Sequence, residues 1–96
     1  MEHELKTLPQ YYGAVLSGRK NFEIRKNDRG FRVGDTVRLR EYENDEYTGR
    51  ELVRKITYVL HGPLYGLAEG WCILALAQAA SGGRASRSEV GGAAAE

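Results

Sequence analysis

Along residues 21–25 polar and apolar side chains alternate with a period of two, Phe22 and Ile24 falling on one face and Glu23 and Arg25 on the other. That is the period of a strand, and it assigns Phe22 and Ile24 to the core. The period returns at residues 36–42, where Val37 and Leu39 alternate with Arg38 and Arg40, and at 52–60, where Ile56, Tyr58 and Leu60 share a face. The polar stretch 44–49 joins these runs as a hairpin, with Thr48-Gly49 supplying the turn. Residues 71–77 are apolar on both faces, as an interior strand requires. One helical signal stands out. Thr7 and Gln10 have capping-box spacing, Pro9 suits a first turn, and Leu8, Tyr12, Val15 and Leu16 form one face before Gly18 stops the run. The spacing predicts a helix over about residues 8–17 behind a short extended piece at 3–6. The expected fold is mainly β (α+β): a small, closed or nearly closed β-barrel of about five strands, with the N-terminal helix packed at its opening.

A chain of 96 residues builds one core, and the periodic pattern stops near residue 77. Residues 78–96 are small or polar with one branched aliphatic, Val90, so a domain over residues 1–77 and a disordered tail are expected. The single cysteine, Cys72, lies in an apolar run and reads as a buried thiol. The acidic start and the absence of a long apolar stretch make cytoplasmic residence the default, with no membrane partner. A monomer is expected.

Charge changes the picture more than composition does. Between Arg19 and Arg40 eight basic residues face three acidic ones, and the segment from Glu41 to Glu51 reverses the sign. This polarity suits either a phosphate-attracting face or charge pairing between neighbouring strands. The densest cluster is Lys20, Glu23 and Arg25 at the helix-to-strand junction. Arg25 offers a planar fork, Lys20 a point charge, and Glu23 an acceptor for an exocyclic amine. A solvated, self-neutralising strand face is the bland alternative on spacing alone. His3 and His61 have no companion at ligand spacing, so no metal is expected, and no cofactor is implied. Tyr12 and Tyr58 sit at core positions. Tyr47 and Tyr65, in loops, are the tyrosines placed to stack on bases. Asp35 braces the turn it occupies.

The pattern Gly18, Lys20, Glu23 and Arg25, followed by Val33-Gly34-Asp35 leading into a strand, resembles the signature of ASCH domains in the PUA-like superfamily. The wider arrangement, His3-Glu4-Leu5-Lys6, Leu8-Pro9, Val15-Leu16-Ser17-Gly18, Phe22 to Asp28, Tyr47 to Glu51 and Tyr65-Gly66-Leu67, resembles a small stand-alone ASCH-type family of unassigned function over about residues 3–76. The likeness implies a β-barrel with a cleft between barrel and first helix, and binding of RNA, a nucleotide or a modified nucleoside. Lys20, Arg25 and Lys26 would then contact phosphate, Glu23 would read a base amine, and Lys6 and Tyr65 would line the cleft. One related group hydrolyses acetylated cytidine with a lysine that aligns with Lys20 and a threonine that aligns with Glu23, together with a strand-borne glutamate. Glu69 is the nearest candidate for that acid. An RNA- or nucleotide-binding module is therefore expected first. Lys20 and Glu23 are the catalytic candidates of an alternative hydrolase, an amidohydrolase of a modified nucleoside or a ribonuclease. An interaction domain without a ligand is the third reading.

Overall fold

The computed structural model describes residues 1–78, in which β1 (Glu2–Thr7), α1 (Pro9–Leu16), β2 (Phe22–Lys26), β3 (Thr36–Glu43), β4 (Glu46–His61) and β5 (Trp71–Gln78) follow in that order. The strands form one sheet in the order β1-β3-β4-β5-β2, parallel between β1 and β3 and antiparallel elsewhere. The sheet curls into a half-barrel, mainly β as the alternation implies, with one short helix. Gln78 belongs to β5 and not to a tail, and the expectation for residues 79–96 lies outside the described residues.

The concave face carries the core. Val37 and Leu39 of β3, Ile56 of β4, and Cys72, Leu74 and Leu76 of β5 are buried together with Leu5, Val15 and Phe31. Burial also raises the Cys72 thiol above its ordinary pKa, as suits an unreactive group. Phe31, between β2 and β3 where no period is visible, is packed edge-on against buried His3. His3 shares Asp35 with the chain's amino group, at 2.9 and 3.2 Å, and the Arg32 N–H also donates to Asp35. These partners, the histidine first, hold the Asp35 carboxyl below its ordinary pKa.

Two expectations about faces are reversed or shifted by register. In β2, Glu23 is buried and Phe22 and Ile24 are exposed, because Glu23 pairs with Leu74 and Arg25 with Cys72, both on the core face of β5. Period two fixes which residues share a face, and only the partner strand fixes which face turns inward. In β4, the register shifts between Ile56 and Tyr58, with Thr57 as the extra residue. Such a bulge turns the strand by one position, so Tyr58 leaves the core face and Val59 packs against the core in its place. The hairpin connection is shorter than the polar stretch suggests. Asn44 and Asp45, with φ of 53° and 64°, make a two-residue turn, and β4 begins at Glu46. Gly49 (φ 98°) sits where β4 carries extra residues opposite Glu41.

The helix also starts later than its capping spacing suggests. Thr7 still pairs with Glu41 as the last residue of β1, so Leu8 occupies the N-cap position and no side chain caps it. Only Tyr12 and Val15 are buried; Leu8 and Leu16 are about half exposed. Arg54 of β4 reaches the helix end, donating to the Val15 carbonyl at 3.4 Å.

Pairing parity explains the open edges. The Thr36 N–H donates to the Met1 carbonyl, so in β1 alternate residues turn their backbone groups toward β3 and Glu4 and Lys6 turn theirs outward. Arg25 donates to the Lys6 carbonyl at 2.7 Å and Arg29 to that of Glu4. Two arginines thus span the seam between β1 and β2 that no backbone ladder closes.

Leu74→Ala is expected to lower unfolding free energy by about 2–5 kcal/mol, while Ile24→Ala changes it by less than about 1 kcal/mol, as urea denaturation would measure; equal losses would refute the assignment of faces in β2. Asp35 contributes stability fully above the pKa of a free aspartate, about 3.9, and loses it as pH falls through the lowered folded value. Asp35→Asn should therefore flatten the acid limb of a stability-versus-pH curve.

Candidate functional site

Gly18, with φ 84°, ends the helix and turns the chain toward β2. The Arg19 and Lys20 N–H groups donate back to the Ala14 carbonyl, and the Asn21 side chain donates to that of Gly18. This tight return places Lys20 beside the first residues of β2. The Glu23 carboxylate, 4% exposed, accepts from Lys20 Nζ through one oxygen at 2.9 Å and from Arg25 Nε through the other at 3.0 Å. Lys20 also donates to the Phe22 carbonyl at 2.7 Å. A carboxylate so deeply buried is tolerable only with cations and donors of this kind around it. Both cations keep a solvent-facing side, their side chains being 18% and 28% exposed.

That solvent-facing side opens into a cavity of about 490 Å³ lined by Lys6, Thr7, Leu8, Tyr11, Lys20, Phe22, Glu23, Ile24 and Arg25. It lies at the seam, where the end of β1 and the start of α1 face the free edge of β2. Its size is that of a small-molecule site. Three cations against one carboxylate leave the lining positive. Lys20 Nζ stands 4.8 Å from the centroid of Phe22 and 5.7 Å from that of Tyr11, so charge and aromatic surface meet at one point.

Of the residues singled out from sequence, Lys6, Lys20, Glu23 and Arg25 converge on this cleft. Lys26, exposed at the end of β2, and Tyr65, 95% exposed in the loop after β4, lie outside its lining, as does Glu69. Thr7, Leu8, Tyr11, Phe22 and Ile24 were not apparent from sequence. Phe22 and Ile24 were hidden by the face assignment, Leu8 by its place in the helical stripe. Arg38 and Arg40 are taken up by Glu2, Glu4 and Glu51 across the sheet, so part of the basic segment is charge pairing. His61 is exposed, near the Asn27 side chain. Among the described residues no group of three or more metal-ligating side chains occurs, and no helix is long and apolar enough to cross a membrane.

Chemically, the cleft is a donor site. Each Glu23 oxygen already holds a cation, so the carboxylate orients Lys20 and Arg25 more directly than it could read a base. Lys20 is held by two acceptors, the Glu23 carboxylate and the Phe22 carbonyl, which fix its position at the mouth of the cleft. Lys6 Nζ, 4.5 Å from the Tyr42 centroid, adds a third cation at the rim.

A family model described as "Domain of unknown function (DUF3850)" matches residues 2–76. The chain is also similar to the "Uncharacterized 12.9 kDa protein in GpA 3'region" of Escherichia phage P2, with 42% identity over 57 residues, 59% of this chain and 52% of that protein. The matched segment thus spans about half the length of the phage protein.

If Glu23 is the clamp between two cations, Glu23→Gln should lower unfolding free energy by about 1–3 kcal/mol in the native background. In a Lys20→Ala/Arg25→Ala background, where the carboxylate is buried without a cation, the same change should be neutral or stabilising. Equal costs in the two backgrounds, measured by urea denaturation, would rule the clamp out.

Proposed function

The chain belongs to the DUF3850 family, and we propose that its cleft binds a nucleotide, free or as one unit of an RNA. The observation that carries this reading is the pairing of aromatic and cationic groups in one cavity: Tyr11 and Phe22 beside Lys6, Lys20 and Arg25. A nucleotide has the complementary parts. Its base stacks on an aromatic ring, and its phosphate takes the N–H groups of Arg25 and Lys20 that Glu23 leaves unused. Glu23 holds these two cations in place before the ligand arrives, which reduces the ordering that binding requires.

The likeness of Gly18, Lys20, Glu23 and Arg25 to the ASCH signature supports the same ligand class. Hydrolysis of an acylated nucleoside, the other activity associated with that likeness, needs a positioned proton acceptor, and Lys20 and both Glu23 oxygens are already engaged with neighbours inside the site. Binding is therefore placed ahead of catalysis.

Titration with nucleoside 5′-monophosphates and short single-stranded RNAs at two salt concentrations tests the proposal. Affinity should fall with rising salt and drop at least tenfold in the Lys20→Ala/Arg25→Ala variant. Lys6→Ala, at an exposed position, supplies a second variant that leaves the buried carboxylate paired and should also weaken binding. No binding at low salt, or unchanged affinity in the Lys20→Ala/Arg25→Ala variant, would overturn the reading.

A further inference from the structure

The outward face of β4, β5 and β2 is a second surface that the cleft does not absorb. Register places Phe22, Ala75 and Tyr58 in one row across the three strands and Ile24, Ile73 and Leu60 in the next, with Trp71 paired to Lys26 beyond them. Tyr58 is 60% exposed, Ile24 50%, Phe22 42% and Trp71 38%. A contiguous apolar sheet face of this kind marks an interaction site more often than an idle surface. Ala75, small and central, leaves a shallow trough between the rings of Phe22 and Tyr58. With neighbouring strands about 4.8 Å apart, that trough is about 10 Å wide.

Charge identifies the partner. Lys26 and Lys55 stand on this face and Lys20 at its margin, and from Lys55 onward β4, β5 and β2 place no carboxylate on it. Two copies meeting face to face through this surface would bring like charges together, since a two-fold interface opposes each patch to itself. A polyanion carrying flat apolar rings meets both features at once. Phe22 and Ile24 also line the cleft, so the two surfaces are continuous. We propose that a single-stranded nucleic acid lies across this outward face, its bases stacked on Tyr58, Phe22 and Trp71 and its phosphates near Lys26 and Lys55, while one nucleotide enters the cleft. Stacking platforms edged with cations bind single strands in this way, with little dependence on sequence. The chemistry of the partner rests on the nucleotide reading of the cleft.

Trp71 is the sole tryptophan, so its fluorescence reports on this face directly. The experiment compares RNA and DNA hexamers with a nucleoside 5′-monophosphate on the full chain, on Tyr58→Ala and on Lys20→Ala/Arg25→Ala. The hexamers should quench Trp71 and bind at least tenfold more tightly than the monophosphate. Tyr58→Ala, at an exposed position outside the cleft, should weaken the hexamers at least fivefold and leave the monophosphate unaffected. Hexamers that bind no more tightly than the monophosphate, or equally well to Tyr58→Ala, would overturn the outward face while leaving the cleft reading intact. Monophosphate binding unchanged in Lys20→Ala/Arg25→Ala would instead sink the cleft reading, and failure of both probes would sink both. A concentration-dependent dimer in sedimentation, lost in Tyr58→Ala and without Trp71 quenching, would overturn the proposal in favour of self-association.

Discussion

The arrangement depends on one buried carboxylate. Glu23 sits on the core face of an edge strand, where an unpaired charge would be strongly unfavourable, and Lys20 and Arg25 each donate to it within about 3 Å. Because Arg25 continues to the Lys6 carbonyl, the same carboxylate fixes the strut across the seam. The half-barrel stays open at this point, yet its two free edges are held at a set separation. An apolar residue in place of Glu23 would remove the reason for Lys20 and Arg25 to converge. The polarity that looks misplaced in the core thus organises both the seam and the cleft beside it.

Two irregularities distribute the remaining side chains between inside and outside. The bulge at Thr57 moves Tyr58 to the outward face and brings Val59 toward the core, and the extra residues of β4 around Gly49 let the long strand follow the curl of the sheet. Without the first, the exposed rings beside Phe22 would be one fewer and the core would have to take a tyrosine hydroxyl. The charge pairs Arg38 with Glu2 and Glu51, and Arg40 with Glu4 and Glu51, belong to the opposite end of the sheet. They are partly exposed and contribute little stability each, but they leave Arg38 and Arg40 already partnered.

Most elements were legible because their periods are strong: β3, β5, the second half of β4 and the helix all lie close to where alternation and spacing put them. The cluster of Lys20, Glu23 and Arg25 was legible too, since residues two apart on a strand share a face. Whether that face turns inward was not, because it is decided by Leu74 and Cys72 some fifty residues away. Phe31 escaped notice for a related reason: a single anchor in a loop has no period. Tyr58 was misassigned because a bulge leaves no mark on alternation. In the cleft, the cations were found from sequence, whereas Leu8 and Tyr11 could be placed only once the start of the helix was known to face the edge of β2.

Strand order also has a consequence for how the molecule assembles. The β3–β4 hairpin closes through a two-residue turn and β5 follows β4 along the chain, whereas β1 pairs with a strand thirty-four positions away and β2 with one about fifty away. Closing long loops costs more entropy than closing short ones, and topologies rich in distant pairings fold slowly. The central three strands therefore form the natural nucleus, and the two walls of the cleft join it afterwards. On that order the cleft between β1, α1 and β2 is complete only once both edge strands have docked.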